Sequence, residues 1–193
     1  KTSNGEDILL AGQKSGWVFG LNNNTGKIKW KTRVGRGGTL GGIHFGMASD
    51  GTKLFVPVAD REVGRTYDWE KRPGLYGLDI NTGDIIWSYK LDNICEEREP
   101  ASGEGKCFTG FSAPVSVTGD VLFAGALDGR FSAHSTQDGS KLWEFDTLKP
   151  FNTVNSFPAV GGSIDAAGAV IVDDWVFINL SLIHISEPTR PMN

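Results

Sequence analysis

The sequence has little with which to bind a metal or run redox chemistry unaided. Of 193 residues, two are cysteine, two methionine and three histidine. No Cys-x-x-Cys occurs, which argues against a thiolate zinc site, and no Cys-x-x-Cys-His, which excludes attachment of a c-type haem. There is no run of lysine and arginine, and the net charge is −4. The basic footprint of a nucleic-acid binder is therefore missing. No apolar run is long enough to cross a bilayer as a helix. Gly35 to Gly42 is glycine-rich, but no Gly-Lys-Ser/Thr follows, so it is not a phosphate loop. A sustained apolar stripe at 3.6-residue spacing is also absent, so little helix is expected.

What is present is repetition. Thr25-Gly26-Lys27-Ile28-Lys29-Trp30 returns as Thr82-Gly83-Asp84-Ile85-Ile86-Trp87 and again as Asp138-Gly139-Ser140-Lys141-Leu142-Trp143. The tryptophans are 57 and 56 residues apart, a period that signals stacked repeat units. Short apolar stretches precede each phrase, such as Leu54 to Pro57 and Leu75 to Leu78. Turn signals separate them: Ser49-Asp50-Gly51, Thr118-Gly119-Asp120, Asn24-Thr25-Gly26 and Asn81-Thr82-Gly83. Each complete unit reads as four short strands, the pattern of a β-propeller blade. The outermost strand of the first unit, Lys27 to Lys31, has a charged face suited to solvent and an Ile28/Trp30 face suited to a neighbouring blade. Trp30, Trp87 and Trp143 are expected to be inter-blade packing residues, each removing a large apolar area from water while its N–H finds a partner.

The pattern breaks after Asn179. Leu180 to Arg190 resembles the translation of a sequencing-library adapter, so residues 180–193 are expected to be a non-native tail and 1–179 a partial propeller. On that expectation the chain is a truncated piece of a longer protein, carrying about three to three and a half blades, the first incomplete.

Loop lengths point to a site. In a propeller the connections alternate between two faces. The tight turns fall on one face, and the long segments Val58 to Pro73, Leu91 to Gly110 and Leu148 to Gly162 fall on the other. Long ordered loops in a compact domain are usually functional. Glycine-rich segments lead into the inner strands there: Gly35 to His44, Lys106 to Ser112 and Asn155 to Asp165. Glycine pairs can admit a planar ligand close to the backbone, or simply make a tight turn. Cys95 and Cys107 share one of the long loops. A disulfide between them closes a ring of about 13 residues and is worth on the order of 3 kcal/mol; two free thiols or a metal are the alternatives.

The repeat phrases, with Ala11 to Gly16, Gly38 to Ala48, Phe123 to Gly129 and Gly161 to Asp165, resemble the pyrroloquinoline-quinone (PQQ) repeat of quinoprotein alcohol dehydrogenases. The match is closer to the polyvinyl-alcohol-dehydrogenase-like branch and spans nearly all of 1–179. The resemblance implies an eight-bladed, periplasmic, all-β propeller of four-stranded antiparallel sheets. It implies PQQ at the axis beside a Ca²⁺, and an Asp as base toward an alcohol. Such an enzyme takes a small-molecule or polymeric alcohol and passes electrons to an acceptor. The residues assigned on this basis are Asp165 and His44 for catalysis, and Lys14, Arg61, Arg65 and Asn155 for the cofactor. One departure is plain: methanol-dehydrogenase-type members cap PQQ with adjacent cysteines, and this sequence has no Cys-Cys pair. A non-catalytic scaffold, similar to the outer-membrane assembly lipoproteins that share these repeats, is the alternative.

Overall fold

The computed structural model describes residues 1, 5–38, 41–61, 67–98 and 106–180. Among them regular structure is β only. Strands β1 (Ile8–Gly12), β2 (Trp17–Asn22) and β3 (Ile28–Arg33) form a three-stranded antiparallel sheet. Strands β4 (Ala48–Ser49), β5 (Lys53–Val58), β6 (Gly74–Asp79) and β7 (Ile85–Lys90) form a four-stranded one, in chain order. The next sheet repeats it with β8 (Ser116–Thr118), β9 (Val121–Gly125), β10 (Arg130–Ser135) and β11 (Lys141–Asp146). Two hairpins follow: β12 (Pro150–Asn152) with β13 (Pro158–Val160), and β14 (Val170–Val172) with β15 (Trp175–Phe177). These are sheets of a propeller: among the described residues, three strands of a first blade, two four-stranded blades, and two strands of a fourth. The long segment Leu148 to Gly162 is thus not an irregular loop but carries the β12–β13 hairpin.

The turns explain why the repeat phrase recurs. Asn22 Oδ1 accepts from the backbone N–H groups of Asn24 and Thr25, and Asp79 Oδ1 accepts from those of Asn81 and Thr82. These Asx-type bonds close the turn between the two outer strands. Gly83 then takes φ +77, a left-handed conformation that a side chain disfavours.

The cores lie between blades. Val18 and Trp30 of the first sheet pack with Leu54, Val56 and Leu78 of the second. Phe55, Leu75 and Trp87 of the second pack with Leu122 and Ala124 of the third. Alternation along each strand sends successive side chains to opposite faces, so the second and third sheets each contribute to two cores. Trp30 and Trp87 are buried, and each N–H donates to a carbonyl of the next blade, Ile80 and Thr136 respectively, at 3.1 Å.

Two expectations need correction. Ile28 does not share the packing of Trp30; it is exposed. The register shifts between Gly20 and Leu21, which pair with Trp30 and Ile28, leaving Lys29 as an extra residue. This bulge interrupts the alternation. It recurs between Gly77 and Leu78 and between Ala133 and His134. Trp143 holds the register position equivalent to Trp30 and Trp87, opposite Ala133, but is 48% exposed. In the first two blades the carbonyl that receives the indole lies 50 and 49 residues beyond the Trp. Counted from Trp143, that place falls at 192–193, outside the described residues. Trp143 instead borders an apolar cleft of about 560 Å³ with Phe123, Phe131, Phe145, Val176 and Ile178. Of the expected tail, Leu180 is described and packs partly against the Phe131–Ile164 cluster; the remainder lies outside the described residues.

Candidate functional site

The site is built by one backbone bond made three times. Ile43 N–H donates to Gln13 O, Phe111 N–H to Val58 O and Ile164 N–H to Ala126 O, at 3.2, 3.1 and 3.1 Å. Each acceptor lies at the same register, five residues past the first residue of β1, β5 or β9. Each bond ties the start of one blade to the previous blade. The residue after each donor is therefore equivalent in three successive blades: His44, Ser112 and Asp165. Propeller symmetry turns these into neighbours around the axis.

The side chains bear this out. His44 Nδ1 lies 2.8 Å from Ser112 Oγ. Asp165 Oδ1 is buried with no hydrogen-bond partner among the described residues. The His44 pKa is lowered, first by burial and then by the Lys14 cation, with the Asp165 carboxylate acting in the opposite sense. Lys14 and Asp165 thus both act on His44, from the first and fourth blades. Lys14 is held close by its backbone: its carbonyl accepts from Gly38 N–H at 2.9 Å and lies against Gly42, at φ +64, where a Cβ would stand 2.3 Å from that oxygen. Its side chain is exposed.

The glycine-rich segment before His44 has a different partner from the one its composition suggests. Asp60, 1% exposed, fills it. Asp60 Oδ2 accepts from the N–H groups of Arg36 at 2.7 Å and Arg72 at 2.9 Å; Oδ1 accepts from Gly37 and Gly42, both at 3.0 Å. A side-chain carboxylate, not a ligand, occupies these amides and fixes the backbone that carries His44. Arg36 joins it, donating to Asp60 O at 3.2 Å and lying 3.9 Å from the Tyr67 ring centre.

Arg61 sits beside this centre. Its guanidinium lies 3.6 Å from the centre of the Phe108 ring. With Lys71, Asn93, Thr109 and the Cys95–Cys107 disulfide it borders a small cleft of about 170 Å³. The disulfide is formed, with Cα atoms 5.3 Å apart, inside the range such bridges require. Asn155 stands exposed at the turn of the β12–β13 hairpin, and no hydrogen bond among the described residues joins it to His44, Lys14 or Asp165. Arg65 lies outside the described residues. Lys14 and Asp165 therefore lie within electrostatic reach of His44, Arg61 lies next to Asp60 at the disulfide cleft, and Asn155 stands apart. Ser112 and Asp60 were missed. Ser112 is legible once Gly42-Ile43-His44, Gly110-Phe111-Ser112 and Ser163-Ile164-Asp165 are aligned; Asp60 has no comparable signal.

A metal fits this arrangement poorly. Among the described residues no three His, Cys, Asp or Glu side chains gather as a metal would need, whereas Ca²⁺ takes six to eight oxygens. A planar, carboxylate-bearing quinone fits better: Lys14 supplies a cation, and Asp165 a buried oxygen that lacks a partner.

The repeated four-stranded blades define a class, the PQQ-repeat proteins. The chain belongs to this family: residues 14–173 match the profile described as outer membrane protein assembly factor BamB. Among curated proteins it is 36% identical over 181 residues to a polyvinylalcohol dehydrogenase from a Pseudomonas species, covering 91% of the chain and 26% of that relative. It is 34% identical over 183 residues to a polyvinylalcohol dehydrogenase from a Sphingopyxis species, covering 93% and 27%. The chain thus spans about a quarter of the length of these relatives. Among solved structures it resembles BamB from Moraxella catarrhalis, with TM-score 0.55, 19% identity and coverage of 93% and 41%. It also resembles a europium-containing methanol dehydrogenase, with TM-score 0.52, 16% identity and coverage of 74% and 23%. Those two likenesses establish the propeller fold. No helix among the described residues is long and apolar enough to cross a membrane.

Proposed function

We propose that this chain is part of a PQQ-dependent dehydrogenase that oxidises an alcohol, secondary or polymeric. The observation that carries this reading is that His44 lies within electrostatic reach of Lys14 and Asp165, each from a different blade, and that one Asp165 oxygen is buried with no partner among the described residues. Oxidising an alcohol to a carbonyl removes the hydroxyl proton and a hydride equivalent from carbon. PQQ, when bound, supplies the two-electron sink. What remains for the protein is positioning and proton transfer. The free Oδ1 of Asp165 accepts the hydroxyl proton, as a placed carboxylate base does. Lys14 faces a cofactor carboxylate, and Arg61 stands on the long-loop side. Burial and the Lys14 cation keep His44 neutral near pH 7, so it meets the substrate as an uncharged ring. No step here runs through calcium. The disulfide fits an oxidising compartment, consistent with the periplasm.

The test uses the full-length protein that carries this chain. With PQQ, Ca²⁺, an alcohol and an artificial electron acceptor, turnover should depend on PQQ. Asp165→Asn should lower kcat by about 10²-fold or more; near-normal turnover clears Asp165 of the role of base. The family description and the BamB likeness favour a second reading, a non-catalytic scaffold. A folded full-length protein without PQQ-dependent turnover or absorbance change would select it.

A further inference from the structure

The two candidate catalytic residues need not compete for one role, because Ser112 separates them. Ser112 is 2% exposed, and among the described residues the hydrogen bond its hydroxyl makes is to His44 Nδ1, at 2.8 Å. Two arrangements satisfy that distance. In one, Nδ1 carries the proton and donates to Oγ, which leaves the serine O–H buried without an acceptor. In the other, the serine O–H donates to Nδ1, and the ring proton sits on Nε2. A buried donor without a partner is costly, which favours the second arrangement. A neutral imidazole carries one ring proton, and the bond at one nitrogen sets its position.

We infer that Ser112 holds His44 as the Nε2–H tautomer, so that His44 is a hydrogen-bond donor and Asp165 the proton acceptor. Ser112 is then a positioning residue acting through His44. The Nε2–H faces an oxygen that gains negative charge or carbonyl character as the alcohol is oxidised, and Asp165 Oδ1, without a hydrogen-bond partner among the described residues, takes the proton. What the donor is for rests on the dehydrogenase reading; the tautomer does not. The same division follows from the register: three equivalent positions in successive blades carry an imidazole, the hydroxyl that orients it, and a carboxylate.

The experiment is ¹⁵N–¹H correlation NMR of the 193-residue chain at pH 7.5, without cofactor, with the His44 signals assigned by their loss in His44→Gln. The expected spectrum has a protonated Nε2 and an unprotonated Nδ1. Ser112→Ala should release the ring into a mixture of tautomers, and Ser112→Thr, which keeps the hydroxyl, should restore the single form. A wild-type Nδ1–H tautomer, or a spectrum unchanged in Ser112→Ala, overturns the inference. In the full-length protein, His44→Gln, which keeps a neutral N–H donor, should retain at least tenfold more kcat than His44→Leu. If the tautomer is found and the full-length protein shows no PQQ-dependent turnover, the dehydrogenase reading fails while the role of Ser112 stands.

Discussion

Trp30 of the first blade lies against Gly83 of the second so closely that a Cβ on Gly83 would stand 2.4 Å from Trp30 Cε3. The indole N–H reaches past it to Ile80 O at 3.1 Å. Trp87 repeats the contact with Gly139, again at 2.4 Å, and with Thr136 O. The repeated phrase thus encodes two halves of one joint. Its tryptophan fills the next blade, and its glycine receives the previous one.

Gly26 offers a matched control. It holds the position of Gly83 in the first blade, with φ +68 against +77, but nothing lies within 4 Å of where its Cβ would be. Gly26→Ala should cost only the left-handed backbone penalty, about 1 kcal/mol. Gly83→Ala adds a clash with a buried ring and should cost about 1–3 kcal/mol more. Urea unfolding of the two variants measures the difference. Equal midpoints would mean that Trp30 does not rest on Gly83.

The disulfide should matter to stability, because it closes a 12-residue separation in the connection between the second and third blades. Chain entropy puts its worth near ~3 kcal/mol. Adding a reductant, or replacing both cysteines by serine, should lower the melting temperature by several degrees. An unchanged melting temperature would show that the loop is held without it, for instance by the Arg98–Asp146 ion pair.

Much of this architecture was legible in the sequence, and the reason is local. The turn between outer strands needs an Asn, Asp or Ser whose side-chain oxygen accepts from the backbone and a glycine at positive φ, and the joint needs a tryptophan four residues on. Those requirements recur in each blade, so they print a period. The bulge opposite Trp30 left no such mark, since Lys29 is an ordinary residue in the extra position, and the exposed side of Ile28 followed from it. Nor could composition tell that the glycines near Arg36 are cradling Asp60 rather than a ligand: that carboxylate comes from 18 to 24 residues away. His44 and Asp165 were found because they follow glycine-rich segments. Ser112 follows one too, but serine alone suggests no chemistry until the register sets it beside an imidazole.

Asp60 gives the third prediction. Its two oxygens take four backbone N–H groups, two each. Asp60→Ala leaves those buried donors unpaired and should cost about 4 kcal/mol or more, at ~1–3 kcal/mol for each unsatisfied group. Asp60→Asn keeps one acceptor oxygen but turns an NH₂ toward two donors, so it should cost an intermediate amount. Hydrogen exchange adds a local readout, because the amides of Gly37 and Gly42 should lose protection in both variants under conditions where the strand β5 amides keep theirs. Retained protection at Gly37 and Gly42 would remove Asp60 as the organiser of this segment.

His134 sets the response to acid. It is fully buried, with Nδ1 3.0 Å from Gly139 O and Nε2 2.9 Å from Ser132 Oγ. A carbonyl only accepts, so Nδ1 carries the ring proton. Burial lowers the His134 pKa below the ordinary 6.5, with the Lys141 cation adding to this and the Gly139 carbonyl and Glu144 opposing it. The native state therefore binds fewer protons than the unfolded chain as pH falls through about 6.5, and stability rises with pH in that window. The contribution is complete above the unfolded value and is lost progressively from there down to the lowered native value. Acid charges the ring beside the glycine that receives Trp87, so the joint between the second and third blades is the part that weakens. Urea midpoints measured from pH 7.5 to 5 should fall in wild type. In His134→Gln, a neutral side chain with donor and acceptor, the fall should be smaller. It should not vanish, because His44 is shifted in the same direction. An identical pH profile in wild type and His134→Gln would show that His134 is not the group whose charging loosens this joint.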